Sequence, residues 1–321
     1  MKKYFFILSI PILGLNIDAT AVSRKLEKHI IKETYTHSYG ITVSKAEWNR
    51  RGKDGVITKI FKDGTTLTEN FHNGLYHGEV LYTYPHSSVI SIKKEYSHGV
   101  LNSVLQNFRN GLPQKEEVFL NDNSVKLSLW YEGDSAPWLI ETTKNSVLLE
   151  GIYQSPKNSN EKTVVTNGTG VKSIFSADGT LLFEEIYDNG LLTTTIKFYP
   201  NKDPAIITPY LNNQPHGLRQ TFDLGGIPNT IEEWRYGKQD GITIIFKNGQ
   251  KVSEVPYVQG LKDGTEICYN ELLEIVEEIS WKRNFLHGLR KIHTDDISKV
   301  EWYYQGKLVS KNKFDRLNTT S

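Results

Sequence analysis

The chain has 321 residues, 38 basic against 37 acidic side chains, and one cysteine, Cys268. That length suits one or two domains with a core of useful size. A single cysteine excludes an intrachain disulfide, and balanced charge without a long Lys/Arg run leaves no electrostatic footprint for nucleic acid or an anionic membrane.

Residues 1–21 read as an export signal. Met1-Lys2-Lys3 supplies the positive start, Tyr4 to Ile17 the apolar stretch, and Ala19-Thr20-Ala21 a cleavage site. A membrane span needs about 20 apolar residues, more than this run supplies, and no cysteine comes after it to carry a lipid. The mature chain is expected to begin near Val22, with 36 basic and 36 acidic residues, and to reach the periplasm, the envelope or the exterior. Over 22–45, Ser23 sits in N-cap position before Leu26, Ile30 and Ile31, which predicts a short helix over 23–33 capping the first repeat.

From residue 46 the chain repeats. Taking the third residue after an aromatic as anchor gives Gly52, Gly74, Gly99, Asp122, Ser146, Gly168, Gly190, Asn213, Gly237, Gly260, Asn284 and Gly306, spaced by 22 to 25 residues. A fixed period in this range marks a repeat array. The clearest copy runs from Trp234 to Tyr257; those beginning at Phe71 and Tyr257 open the same way, as aromatic-x-x-Gly-x-x-x-Gly. Each copy is expected to hold two turns separated by two short strands. Asn-Gly and Asp-Gly pairs such as Asn73-Gly74, Asp178-Gly179 and Asn248-Gly249 mark hairpins, and Val80 to Tyr84 and Ile242 to Phe246 have strand composition. The body is therefore expected to be all-β, with two files of core aromatics along the array, one of them Phe71, Tyr96, Phe119, Tyr187, Tyr210, Trp234, Tyr257, Trp281 and Tyr303.

The pattern degrades in the middle. Regular repeats over 46–142 give way to a degenerate stretch, 143–165, with the polar loop Ser155 to Lys162; repeats resume over 166–308. Either two arms meet there or one array carries a bulged repeat. Residues 309–321 read as a polar, frayed tail.

These units resemble the MORN repeat, and most closely its bacterial variant with an Asn-Gly-x-x-x-Gly opening. The match is clear in the units at Phe71, Trp234 and Tyr257 and fair at Trp48, Tyr187, Tyr210 and Trp281, covering nearly all of residues 46–308. The resemblance implies an elongated, curved array of about twelve successive antiparallel β-hairpins. It also implies an interaction scaffold, binding a protein and sometimes lipid, without chemistry of its own.

The sequence offers little chemistry to set against that. His77, His216 and His287 share one repeat position and would lie far apart, whereas a metal needs convergent ligands; no metal or cofactor is expected. Glu69, Glu95, Glu117, Glu141, Glu185, Glu233, Glu254, Glu278 and Glu301 recur ahead of the anchors. Paired, they could serve an envelope glycoside hydrolase; as a repeat position they more simply line a solvated strand face or partner nearby Lys and Arg, and no catalytic residue is assigned. Cys268, between Ile267 and Tyr269, suits a packed strand.

Residues that break the repeat are the better candidates for binding a partner. Asp134 to Trp138 places a Trp in a turn region, with Trp130 nearby, and Trp302, Tyr303 and Tyr304 stand in a row, so at least one faces away from a core. The expected function is an exported, non-catalytic scaffold for a protein partner, with glycan and lipid as further candidates and no nucleic acid. A hydrolase and a self-assembling array are the alternatives.

Overall fold

A computed structural model of the chain describes residues 30–158, 160–293 and 298–319. The expected export signal lies outside these residues, as does most of the helix expected over 23–33. Where that helix enters the described region it is replaced by a strand, β1 (Ile30–His37), paired antiparallel with β3 (Gly55–Phe61) in the register Tyr35↔Ile57. Tyr35 and His37 are buried on one side while their neighbours are not. This period of two, through Thr34, Tyr35 and Thr36, overrides a helical pattern resting on three aliphatic residues.

The described residues are all-β apart from two short helices, and the chain divides into two compact units between Leu120 and Asn121. In the first, β3, β4 (Thr66–His72), β5 (Leu75–Thr83), β6 (Ile90–Ser97), β7 (Val100–Asn107) and β8 (Pro113–Phe119) each pair antiparallel with the next. Helix α1 (Lys45–Arg50) precedes β3. Ser44 and Glu47 close a capping box at its start, and its Trp48 is buried between Tyr35 and the edge of Phe71. In the second unit the same succession runs from β9 (Ser124–Leu129) to β27 (Lys307–Val309). The stretch 143–165 belongs to that ladder: Leu139–Lys144, Val147–Gln154 and Lys162–Thr166 are consecutive paired strands.

The expected polar tail is instead a helix, α2 (Lys311–Thr319). Ser310 caps it, its carbonyl accepting the Phe314 N–H at 2.9 Å. Phe314 is buried, with its ring 5.0 Å from Trp302 and 5.5 Å from His287. One well-placed aromatic holds a segment whose composition is otherwise polar.

Ten of the twelve anchors form two-residue hairpin turns with positive φ at both central residues, from Asn73-Gly74 (50° and 76°) to Gln305-Gly306 (49° and 79°). This is the type I′ geometry that suits strand twist. Even Asn145-Ser146, in the degenerate stretch, adopts it. The exceptions are Gly52, just past α1, and Asp122, whose carboxylate instead accepts the Ser124 N–H at 3.1 Å.

The second glycine of each motif is not a turn residue. It lies within a strand, opposite the aromatic that opens the following unit: Gly55↔Phe71, Gly78↔Tyr96, Gly170↔Tyr187, Gly217↔Trp234, Gly241↔Tyr257, Gly264↔Trp281 and Gly288↔Tyr303. All seven have positive φ, from 83° to 145°, and a Cβ there would meet not the ring but the strand before it: Val164 O at Gly170, Pro209 at Gly217, Pro256 at Gly264 and Ser280 at Gly288.

Backbone bonds also tie most anchor turns to the unit before. Gly99 N–H donates to Tyr76 O (2.8 Å), Gly260 to Gln239 (2.8 Å), Asn284 to Lys262 (2.9 Å) and Gly306 to Leu286 (2.8 Å). Along the other edge, the Tyr199 hydroxyl donates to Phe222 O at 2.9 Å. In the second aromatic file (Phe61, Tyr84, Phe108, Phe175, Tyr199, Phe222, Phe246 and Tyr269), Tyr84 likewise donates to Asn107 O, so two of its tyrosines staple neighbouring units.

Candidate functional site

In each unit the sheet face that carries the first aromatic file also carries carboxylates, and the register explains their partners. Two residues before the aromatic stand Glu69, Lys94, Glu185, Glu232 and Glu301 in the units of Phe71, Tyr96, Tyr187, Trp234 and Tyr303. A spacing of two keeps each on the side of its ring. Facing them across the ladder are Ile57, Val80, Lys172, Arg219 and Arg290.

The glutamates are held twice. Lys59 lies 2.9 Å from Glu69, Arg219 lies 2.7 Å from Glu232, and Arg290 lies 3.2 Å from Glu301. Aromatic donors complete the sets: Tyr76 O–H to Glu69 at 2.7 Å, Trp234 Nε1–H to Glu232 at 2.8 Å, and Tyr303 O–H to Glu301 at 3.1 Å. Trp281 Nε1–H and Lys262 close the same arrangement on Glu266, at 2.8 and 3.2 Å. In the second unit Lys172 bridges Glu141 at 2.7 Å and Glu185 at 3.6 Å, while Tyr153 and Tyr187 donate to those carboxylates at 3.0 and 2.9 Å.

Glu69 and Glu141 are buried, so of the two expectations for that series a solvated strand face does not describe them and pairing with lysine does; Glu266, outside the series, is buried too. Burial pushes the Tyr82 hydroxyl up to about 12 and those of Tyr76, Tyr153 and Tyr187 higher still. These rings stay neutral hydrogen-bond donors throughout the physiological range. Glu95 and Glu233, one residue from their aromatics, fall on the opposite face: the shared sequence series mixed two faces, because an offset of one residue reverses the side.

Lys94 breaks the pattern. It occupies the position held by glutamate in the neighbouring sets, its cross-strand neighbours are Val80 and Val104, and its ammonium lies 5.8 Å from the Tyr82 ring centroid. The side chain is half-buried, and no carboxylate pairs with it among the described residues. Burial alone lowers its pKa. Sequence reading missed it: the same position holds Thr208, Val255 and Ile279 in the units of Tyr210, Tyr257 and Trp281, so the lysine stood out only once the register was fixed.

The candidate partner-binding residues occupy two places. Trp138 is half-buried against the cluster of Leu139, Leu148, Tyr153 and Val165, and stacks on Tyr131 at 5.1 Å. Trp130 is also half-buried. At the C-terminal end Trp302 packs on Phe314, Tyr304 lies 5.0 Å from His287, and Tyr303 donates to Glu301. The structure does not join the two groups into one contiguous site.

The repeat-position histidines serve the next turn. His77 Nδ1 accepts the His98 N–H and His287 Nδ1 accepts the Gln305 N–H, each at 3.4 Å, while the His216 ring lies 4.9 Å from Tyr236. Among the described residues no three His, Cys, Asp or Glu side chains gather as a metal would require. Cys268 is half-buried opposite Ser253, and burial pushes its thiol pKa up, away from nucleophilic reactivity.

The fold and this face define a class: an all-β array of successive antiparallel hairpins. No protein-family model and no curated protein matches the chain.

Proposed function

We propose that the protein is an exported, non-catalytic, MORN-like repeat scaffold that presents its aromatic sheet face to a protein partner. The observation that carries this reading is the face itself. Strands within each unit pack beside their chain neighbours, and the described helices pack chiefly on two strands, α1 on β1 and α2 on Lys299–Tyr304. A row of half-buried rings and hydrogen-bonding groups thus stands on a framework of paired strands, as an interface surface requires. Export rests on the sequence of residues 1–21.

The carboxylates favour binding over hydrolysis. A glycosidase needs one free acid and one free nucleophile across a substrate, whereas Glu69, Glu141, Glu185, Glu232 and Glu301 are each tied to a cation and a ring donor. Crosslinking and pull-down from envelope and external fractions, with the full chain as bait, tests the proposal. A specific partner captured at stoichiometric level upholds it. Repeated failure to capture one, together with release of reducing sugar from envelope polysaccharide, overturns it in favour of the hydrolase.

A further inference from the structure

We infer that Lys94, with Tyr82 and Tyr96 beside it, is a receptor for a carboxylate that a protein partner supplies. The inference rests on the binding-scaffold reading and names the chemistry its partner must offer.

The argument is one of completion. Elsewhere on this face cation, carboxylate and ring donor occur together: Lys59–Glu69–Tyr76, Lys172–Glu141–Tyr153, Arg219–Glu232–Trp234 and Lys262–Glu266–Trp281. At Lys94 the cation and rings are present and the carboxylate is not. Glu69 lies in the same cross-strand row, but Val80 stands between, and Glu69 already pairs with Lys59. A half-buried ammonium has lost part of its hydration without gaining a counter-charge, so an incoming carboxylate gains more here than at a fully hydrated lysine. Above an aromatic ring the ammonium has only the weaker cation–π attraction to replace what it lost.

The surroundings select the source of the carboxylate. Lys94 is flanked by Val80, Val104 and Ile92 along the ladder and by tyrosine rings; Gln106 is the one amide nearby, opposite Ile92. A sugar acid would bring several hydroxyls to a surface with few groups to bond them. A glutamate or aspartate side chain within an apolar stretch of protein brings the charge alone, and glutamate is the carboxylate in each of the four complete sets.

The test is lysine NMR on the full chain after reductive ¹³C-methylation, titrated separately with N-acetyl-glutamate methylamide, N-acetyl-glutamine methylamide and glucuronate. Lys94→Arg identifies the resonance while keeping the cation, and Lys94→Gln removes the site. The expected result is a saturable shift at Lys94 with the blocked glutamate, none with the blocked glutamine, and none at the exposed Lys126 and Lys197. An equal drift at all three lysines, or no saturation at Lys94, overturns the inference; stronger binding of glucuronate overturns the assignment to protein. The blocked amino acid reports on Lys94 directly, so this outcome is separate from whether the scaffold captures a partner. A partner retained by Lys94→Gln with undiminished affinity removes the site while leaving the scaffold reading in place.

Discussion

Lys172 Nζ lies 2.7 Å from Glu141 Oε1 and 3.6 Å from Glu185 Oε2, with Lys172 and Glu141 both buried. One ammonium therefore neutralises two carboxylates inside the second unit. Removing it strands both, and breaking a buried pair on one side costs about 3–5 kcal/mol. Lys172→Met should lower the unfolding free energy by that order in urea melts, whereas removing the exposed Lys202–Glu161 pair through Lys202→Met should change it by less than about 1 kcal/mol.

The two kinds of glycine should respond differently to substitution. A Cβ on Gly170, at φ 145°, would stand 2.2 Å from the Val164 carbonyl oxygen, a backbone atom that cannot swing aside. Gly237, at φ 81°, has nothing within 4 Å. Gly170→Ala is expected to cost about 2 kcal/mol or more, and Gly237→Asn less than about 0.5 kcal/mol, since asparagine tolerates this turn conformation. Thermal melts of the two variants side by side check the contrast.

Phe314 anchors α2 on Trp302 and His287. Phe314→Ala removes a buried ring at the end of the chain, a loss of about 3 kcal/mol felt locally. Amide exchange should quicken over Lys299–Tyr304 and Lys307–Val309 with little change in the strands around Tyr153.

Alkaline pH should destabilise the fold through its tyrosines. Burial raises the pKa of Tyr76, Tyr82, Tyr96, Tyr153 and Tyr187 above the ordinary 10.0, Tyr82 to about 12. A folded pKa above the unfolded one means that the stabilisation is complete below pH 10 and is lost as pH rises through the folded values. Lys94 acts oppositely, since its lowered pKa makes stability rise with pH below 10.5, but one lysine faces five tyrosines. Stability is expected to fall from about pH 10 upward, with tyrosinate absorbance appearing together with unfolding.

Most turn positions could be read from the sequence because positive φ at two successive residues favours Gly and Asn there. Asn213 and Asn284 fitted the period without glycine for that reason. The positions of the aromatic files were legible through the same period, but the first file, expected in the core, stands half-buried on a sheet face with Phe119 exposed. Their partners were not: Glu69 and Glu95 look equivalent by spacing, yet the first is buried beside Tyr76 and the second faces away, exposed. Deciding between them requires the strand register, which a β-bulge between Glu95 and Tyr96 shifts by a residue. The termini misled for a different cause. Ile30 and Ile31 resembled part of a helical stripe, but Ile30 pairs with Phe61 of β3 and Ile31 stands exposed at the register shift beside it, and the polar run after Lys311 concealed a helix that depends on Phe314. Helix α1 was not expected, because Trp48 in a repeat position places the segment in the hairpin series; its capping box of Ser44 and Glu47 came to light in the structure.

The anchor-to-anchor hydrogen bonds bear on how such a chain can change length. Gly260 donates to Gln239, Asn284 to Lys262, and Gly306 to Leu286, so each of these hairpins satisfies its donor on the hairpin behind, and the one ahead bonds it in turn. The hairpins overlap like shingles, each fastened to its predecessor in the same way. A stretch from one anchor to the next can be duplicated or deleted without leaving a donor orphaned, whereas cutting within a unit parts a ring from its glycine. Growth by whole shingles is thus the change in length that the second unit accommodates at least cost.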